Sequence, residues 1–557
     1  MRNTGERAQV RRFRSAIRSV MALAAVPLAT AACEGPPASA GTDPPLGALV
    51  AAAGPTTGSS GGGEGGPLSG VPVPQPVSGD VTNGPAAVRL GKALFWDEQT
   101  GGDGRIACAS CHFRAGADNR TLNVLNPGPD GIFASGGVTA AGQSFTPVSI
   151  VNDDRAGSQG IVGATFAGVD PDPATGADQC TPNQTAPFFA ARRVTGRNAP
   201  TVVGAVFNRD NFWDGRANHS FNGLDPFGQT PNGLGTLAIG NASLASQAVG
   251  PPGNDTEMSC TGRPFNGPGS LGAKLLARTP LGHQHVDPTD GVLGPVAAAS
   301  TGLTVSYQAL INAAFTAAVA GDAQNQFSRI WGQAVQAYEA TLVPDQTPYD
   351  RFQAGNSAAL TASQQRGLDR FTGKGGCIHC HAGPELTDAS VGFAASGGLI
   401  NEDGGDQGFH NLGVRPTAED LGRGGCPAGP PCDRSAPGRF PVSASGSSRD
   451  NGAFKTAALR NVKLTAPYFH NGGKATLADV VAFYNRGGDF ANPEKASRIK
   501  PLSLDSGDQA ALVDFLTNGL TDCRVENERA PFDHPSLSPP NGAAVPAVGA
   551  AGHGPCP

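Results

Sequence analysis

Cys108-Ala-Ser-Cys111-His112 and Cys377-Ile-His-Cys380-His381 repeat one spacing, Cys-x-x-Cys-His, within a chain of 557 residues. The spacing has a covalent logic: two thiols add to the two vinyl groups of a haem, and the adjoining His becomes the proximal ligand of its iron. The competing reading is a single zinc ion held by two Cys-x-x-Cys pairs. Such pairs lie within about 15–20 residues of each other. Here 265 residues separate Cys111 from Cys377, and each pair carries its own His. Two covalently bound haem c groups are therefore expected, attached through Cys108, Cys111, Cys377 and Cys380, with His112 and His381 on the irons.

The rest of the cysteine inventory and the N-terminus point to export. Of eleven Cys, four serve the two motifs and Cys33 follows an apolar run, which leaves Cys180, Cys260, Cys426, Cys432, Cys523 and Cys556. An even remainder in an exported chain suggests disulfides, with the pairing not readable; Cys426 and Cys432 are near enough to close a small loop. Arg2, Arg7, Arg11, Arg12, Arg14 and Arg18 precede the apolar stretch Val20 to Ala32, so residues 1–33 read as an export signal. Thr30-Ala-Ala-Cys33 is an imperfect lipobox. Acylation of Cys33 would anchor the chain to the outer membrane, facing the periplasm; ordinary cleavage nearby would release it into the periplasm. Residues 34–80 are rich in Gly, Pro, Ser and Ala and read as a disordered linker, and residues 528–557 as a loose tail.

Charge excludes some partners. With 40 Lys+Arg against 46 Asp+Glu the net charge is −6, and no basic block follows the N-terminus, which argues against nucleic acid. Beyond the N-terminus no apolar run approaches the roughly 18 residues that span a bilayer, so membrane contact is expected only through an N-terminal lipid. Gly (79) and Pro (47) exceed a fifth of the chain, so long loops are expected, notably in insertions at 113–190 and 218–242. Helices are read over Pro85–Glu98, through much of Leu303–Leu342, after capping boxes at Thr361/Gln364 and Thr476/Asp479, and over Asp508–Leu516. Alternating strand patterns are scarce, and the expected class is all-α.

At this point the chain resembles the bacterial di-haem cytochrome c peroxidase and MauG family, over about residues 85–112, 190–217, 243–260 and 330–520. The resemblance is carried by Leu90-Gly-Lys-Ala-Leu-Phe-Trp-Asp97, Arg197-Asn-Ala-Pro-Thr201, Phe212-Trp-Asp-Gly-Arg-Ala217 and Gln247-Ala-Val-Gly-Pro251. It continues in Glu257-Met258, Ala337-Tyr-Glu-Ala-Thr-Leu-Val343, Leu459-Arg-Asn-Val462 and Pro467-Tyr-Phe-His470. It implies two cytochrome-c-like haem domains with long loop insertions. Residues 81–357 would form the N-terminal, peroxide-binding domain, and residues 358–527 the C-terminal, electron-transfer domain.

The resemblance also implies roles. Trp213 would relay electrons or holes between the haems. Gln247 and Glu257 would form a distal pair over the first haem, the carboxyl carrying a proton between peroxide oxygens. Asn198, Thr465 and Pro467 would bind an interdomain calcium ion through oxygen ligands. Two departures matter. Family members place a switchable distal His shortly before the Arg-Asn-x-Pro-Thr segment, but Pro187-Phe-Phe-Ala-Ala-Arg-Arg-Val-Thr-Gly196 contains none, so the first haem should be permanently open. Peroxidases place a Met fourteen residues after the His of Pro-Tyr-x-His; from His470 that position is Tyr484, as in the MauG-like branch. Periodicity alone makes Tyr484 a core residue on the stripe with Leu477, Val480 and Val481, whereas the family register makes it a ligand of the second iron.

The implied activity is reduction of hydrogen peroxide with electrons from a small periplasmic donor such as a cytochrome c or a cupredoxin. An anionic phenolate favours ferric and higher iron, which opens an alternative: a MauG-like oxidase or oxygenase that uses peroxide on a dedicated protein or organic substrate. A non-enzymatic di-haem electron carrier would need two closed haems, and the missing distal His argues against it.

Overall fold

Asn83 starts the first long helix. Its side chain accepts a hydrogen bond from the Ala86 N–H, Pro85 sits in the first turn, and α1 runs over Gly84–Trp96. Helices α2 (Ala109–His112), α3 (Ser243–Ala248), α4 (Leu271–Leu276), α5 (Tyr307–Ala314), α6 (Ala317–Ala320) and α7 (Phe327–Glu339) follow. Leu90, Ala93 and Leu94 of α1 are buried against α7, where Ile330, Trp331 and Ala334 are equally enclosed. The two backbones approach closely because position 91 is glycine: a Cβ there would overlap the Ala334 carbonyl.

The second half carries α8 (Pro348–Gln353), α9 (Ala362–Thr372), α10 (Val391–Gly397), α11 (Leu477–Arg486), α12 (Ser506–Asp514) and α13 (Cys523–Glu526). Both expected capping boxes form, Thr361 with Gln364 and Thr476 with Asp479, each N-cap contributing about 1 kcal/mol. α12 runs on into a short π-helical turn, Phe515–Gly519. Leu368, Phe371, Leu477, Val481, Leu512 and Phe515 belong to a second apolar cluster, separate from that around α1 and α7. Cys108 borders the first cluster and Cys377 the second. The computed structural model describes residues 66–77, 80–229, 233–425 and 443–556, and these lie in one compact unit.

Three expectations are corrected. The class is mostly helical rather than all-α: four two-stranded antiparallel sheets are present among the described residues. Three involve the insertion, pairing β1 (Leu125–Asn126) with β2 (Arg155–Ala156), β3 (Gln159–Val162) with β6 (Arg192–Val194) just beyond it, and β4 (Ala164–Val169) with β5 (Asp178–Pro182). The fourth pairs β7 (Phe409–His410) with β8 (Phe454–Lys455). Strands of two to six residues are too short to show an alternating pattern.

The linker expected over 34–80 does not extend through 66–77. Leu68 is buried, its N–H donates to Asp350 Oδ1 at 3.0 Å, and Val77 bridges to Gly240. The tail expected to be loose is packed. Phe532 and Leu537 enter the first cluster, His534 and Leu537 bridge to Val548 and Val545, and Cys523 is bonded to Cys556. In both stretches a few spaced apolar residues find partners elsewhere in the chain, which composition cannot register. The export signal, Cys33, Cys426 and Cys432 lie outside the described residues.

Candidate functional site

The first Cys-x-x-Cys-His opens α2. Cys108 and Cys111 are free thiols, and burial raises both, Cys111 to about 12. His112 Nδ1 lies 2.8 Å from the Gly116 carbonyl, which can only accept, so Nδ1 carries the proton and Nε2 is left for a metal. Gly116 reaches this position with φ +74°, and a Cβ there would crowd Thr201 Oγ1 and the Val202 N–H. The second motif repeats the device: His381 Nδ1 meets the Leu386 carbonyl at 3.2 Å, and Cys377 and Cys380 are free. Burial lowers both imidazoles, keeping them in the neutral form that ligates iron.

Around the second motif a cavity is lined by Cys377, Cys380, His381, Tyr484, Trp213 and His470 among others. Tyr484 is half-buried on its wall. Burial pushes its phenol well up, with the Cys380 and Cys377 thiols adding to the effect. Trp213 is fixed by its Nε1, which donates to the Asn198 carbonyl at 2.8 Å, and by its own carbonyl, which accepts from the Lys455 N–H at 2.7 Å. Its ring meets His470 edge-on at 6.5 Å, and His470 stacks on Phe454 at 3.5 Å. Asn198 Nδ2 donates to the Pro467 carbonyl at 2.6 Å, so two of the three expected calcium ligands are adjacent; Thr465 lines the same cavity, its hydroxyl bonded to the Val462 carbonyl.

Glu257 belongs to the first motif's surroundings, and Gln247 lies in the last turn of α3, ten residues before it. Glu257 lies close enough to Cys108 and Cys111 to raise both thiols. Burial raises its own carboxyl, opposed by Arg216. Gln247 Oε1 is buried without a hydrogen-bond partner. A neutral imidazole, two free thiols and a buried carboxyl close by are the donor set that a haem with a distal acid would use. The second motif offers the same thiols and imidazole with a phenol and a lined cavity. Both sites fit haem c.

Several neighbours escaped sequence reasoning. Arg120 Nη2 reaches Cys111 Sγ at 3.6 Å and pairs with Asp118 at 2.7 Å. Arg197 bridges Asp214 and Asp420 at 2.7 and 2.6 Å and so anchors the segment carrying Trp213. His410 Nε2 binds Asp388 Oδ2 at 2.8 Å beside Cys380. Burial works against charge on His410, but Cys380 and Asp388 outweigh it and hold the imidazole well above its ordinary value. Glu339, which follows Tyr338 in a quoted motif, is a fully buried carboxyl near Cys108 with an unpaired Oε2. Apart from Arg120 and Asp118, two residues apart, these partners lie nine or more residues from each other, so no spacing pattern marks them.

The family pattern described as di-haem cytochrome c peroxidase matches residues 85–358. Cytochrome-c peroxidase IdrP1 of Denitromonas iodatirespirans is 37% identical over 217 residues, covering 35% of this chain and 52% of that protein. This chain thus spans about half the length of that relative. Cytochrome-c peroxidase IdrP2 of Pseudomonas sp. (strain SCT) is 27% identical over 474 residues, 85% of this chain and 90% of that one. Methylamine utilization protein MauG of Methylorubrum extorquens is 31% identical over 183 residues, 33% of this chain and 42% of that protein.

Proposed function

We propose that this chain, which is similar to di-haem cytochrome c peroxidases and to MauG, reduces hydrogen peroxide at the pocket of the first haem motif. The observation that carries this reading is Glu257, a carboxyl raised by burial, close enough to Cys108 and Cys111 to act on both thiols. When bound, the two haems supply iron to hold peroxide and to accept and store electrons. Glu257 takes the proton from one peroxide oxygen and delivers it to the other. Gln247 Oε1 accepts a hydrogen bond from the peroxide and orients it. His112 and His381 would each hold a haem iron, with Nδ1 steadied by the Gly116 and Leu386 carbonyls. The overall balance is H2O2 + 2 H+ + 2 e− giving 2 H2O. The electrons come from a small periplasmic donor, and Trp213 carries them between the sites.

The two apolar clusters support a division into domains near 81–357 and 358–527, with Tyr349 joining the second cluster and Val525 the first. An interdomain calcium would use Asn198 Oδ1, with the amide turned, and oxygens of Thr465 and Pro467. Export to the periplasm rests on the N-terminal segment; no helix among the described residues is long and apolar enough to cross a membrane. The test is stoichiometry: the holoenzyme should oxidise two equivalents of reduced cytochrome c per peroxide consumed.

A second reading is favoured by Tyr484 on the wall of the second cavity. As an iron ligand its phenolate would stabilise an oxidising equivalent and turn the enzyme toward a dedicated substrate, as a MauG-like oxidase. That reading expects peroxide consumption with little oxidation of cytochrome c.

A further inference from the structure

Trp96 and Tyr338 form a buried pair behind the first haem motif. Trp96 Nε1 donates to Tyr338 Oη at 2.9 Å, and the residues are 4% and 2% exposed. Phe95 stands between this pair and His112, its ring centroid 6.4 Å from His112, 5.4 Å from Tyr338 and 6.0 Å from Trp96. Trp96 also stacks on His534, with centroids 4.6 Å apart and planes within 10°.

His534 is delivered by the packed C-terminal stretch and is itself buried. Its Nδ1 meets the Pro535 carbonyl at 2.9 Å, so Nε2 is the free nitrogen, and it lies 3.4 Å from Glu528 Oε2. The same carboxylate oxygen holds His553 Nε2 at 2.8 Å, and the His553 side chain is 56% exposed. An unbroken series of rings and one carboxylate therefore leads from the proximal histidine of the first site to the surface. It leaves on the C-terminal stretch and does not pass through Trp213 or the second cavity.

We propose that Trp96 and Tyr338 are an electron relay between the first haem pocket and the surface at His553, a second entry for electrons independent of Trp213. Trp and Tyr are the side chains most readily oxidised by one electron. The arrangement favours the hole on Trp96: its N–H points at a neutral hydroxyl, which is no base, so Trp96 gives up an electron and keeps its proton. Asp533 and Asp290, which help push the Tyr338 phenol up, both pair with Lys92, two carboxyl groups to one amine. In each event Trp96 passes one electron to the oxidising centre in the pocket and becomes a radical cation. A small one-electron reductant at the His553 face then returns one electron. Two events complete one peroxide.

This inference rests on the proposed peroxide reaction at the first site, and its test separates the two. Diferric holoenzyme is mixed with one equivalent of peroxide and no reductant, quenched, digested and mapped by mass spectrometry, with freeze-quenched electron paramagnetic resonance in parallel. Oxygenated Trp96 or Tyr338 is expected, with an organic radical signal that Trp96→Phe changes. Because Trp96 is buried, His534→Leu gives a second probe that leaves the pair intact: return of the radical to baseline with ferrocyanide should slow severalfold. Peroxide consumption that leaves Trp96 and Tyr338 unmarked and the radical signal identical in Trp96→Phe overturns the relay while sparing the peroxidase reading. No reaction with peroxide at all overturns both.

Discussion

Cys180 and Cys260 are joined by a disulfide that ties β5 of the insertion to the loop carrying Glu257, three residues upstream. The same loop is gripped from other sides. The Gly102 N–H donates to the Met258 carbonyl at 2.7 Å, Arg193 pairs with Asp255 at 2.9 Å, and the Phe166 N–H donates to the Thr261 carbonyl at 3.0 Å. The insertion thus braces the segment that presents the distal carboxyl.

Removing the bond by Cys180→Ala with Cys260→Ala should lower stability by about 2–4 kcal/mol, since it closes a long loop. Amide exchange should accelerate at residues 254–261 while haem content holds. Hydrogen-exchange mass spectrometry with thermal melting checks this, and unchanged exchange in that loop would mean the other contacts suffice.

Glu257→Gln keeps the size of the side chain and removes its proton carrier, so reaction with peroxide should slow by about 10²–10⁴-fold. The pH dependence has a definite sign. Burial raises the carboxyl above the ordinary Glu value, and its first task needs the ionised form. The wild-type rate should therefore fall on acidification, with its midpoint above the ordinary carboxylate range, and Glu257→Gln should abolish that limb. Rapid-mixing rates across pH measure it.

Tyr484 is testable by its spectrum. If the phenolate binds the second iron, Tyr484→Met installs a softer ligand and raises that haem's potential, and the variant should take electrons from reduced cytochrome c more readily. Tyr484→Phe should leave a water or no ligand there. Redox titration with electron paramagnetic resonance decides; an unchanged second-haem signal in Tyr484→Phe would return Tyr484 to the apolar stripe of α11.

Glu339 makes a stability prediction. Burial alone raises its carboxyl well above the usual value, so the folded protein binds a proton that the unfolded chain releases. Its contribution is full below the unfolded value near 4.3 and is lost as pH rises through the folded value. Glu339→Gln should flatten the fall of the melting temperature toward alkaline pH. A melting series from pH 5 to 9 checks this.

The two Cys-x-x-Cys-His motifs, the caps at Thr361 and Thr476 and the helical stretches before Leu342 were legible because each is local: a few neighbouring residues determine the chemistry. The Asn198/Pro467 pair needed the family's order to bring it together. The stacking of His534 on Trp96, the burial of Leu68 on Asp350 and the grip of the insertion on the Glu257 loop were not legible. In each, the partners lie far apart in the chain and share no period or motif. The short insertion strands failed for a different reason, being too brief to alternate.

The most direct test of peroxide chemistry at an open first site is to mix the fully oxidised holoenzyme with hydrogen peroxide in a stopped-flow spectrometer, with no reductant present. The account predicts an immediate change in the haem spectrum, because the Pro187–Gly196 stretch holds no histidine to close the site. A spectrum that stays unchanged until one haem has been reduced would contradict it.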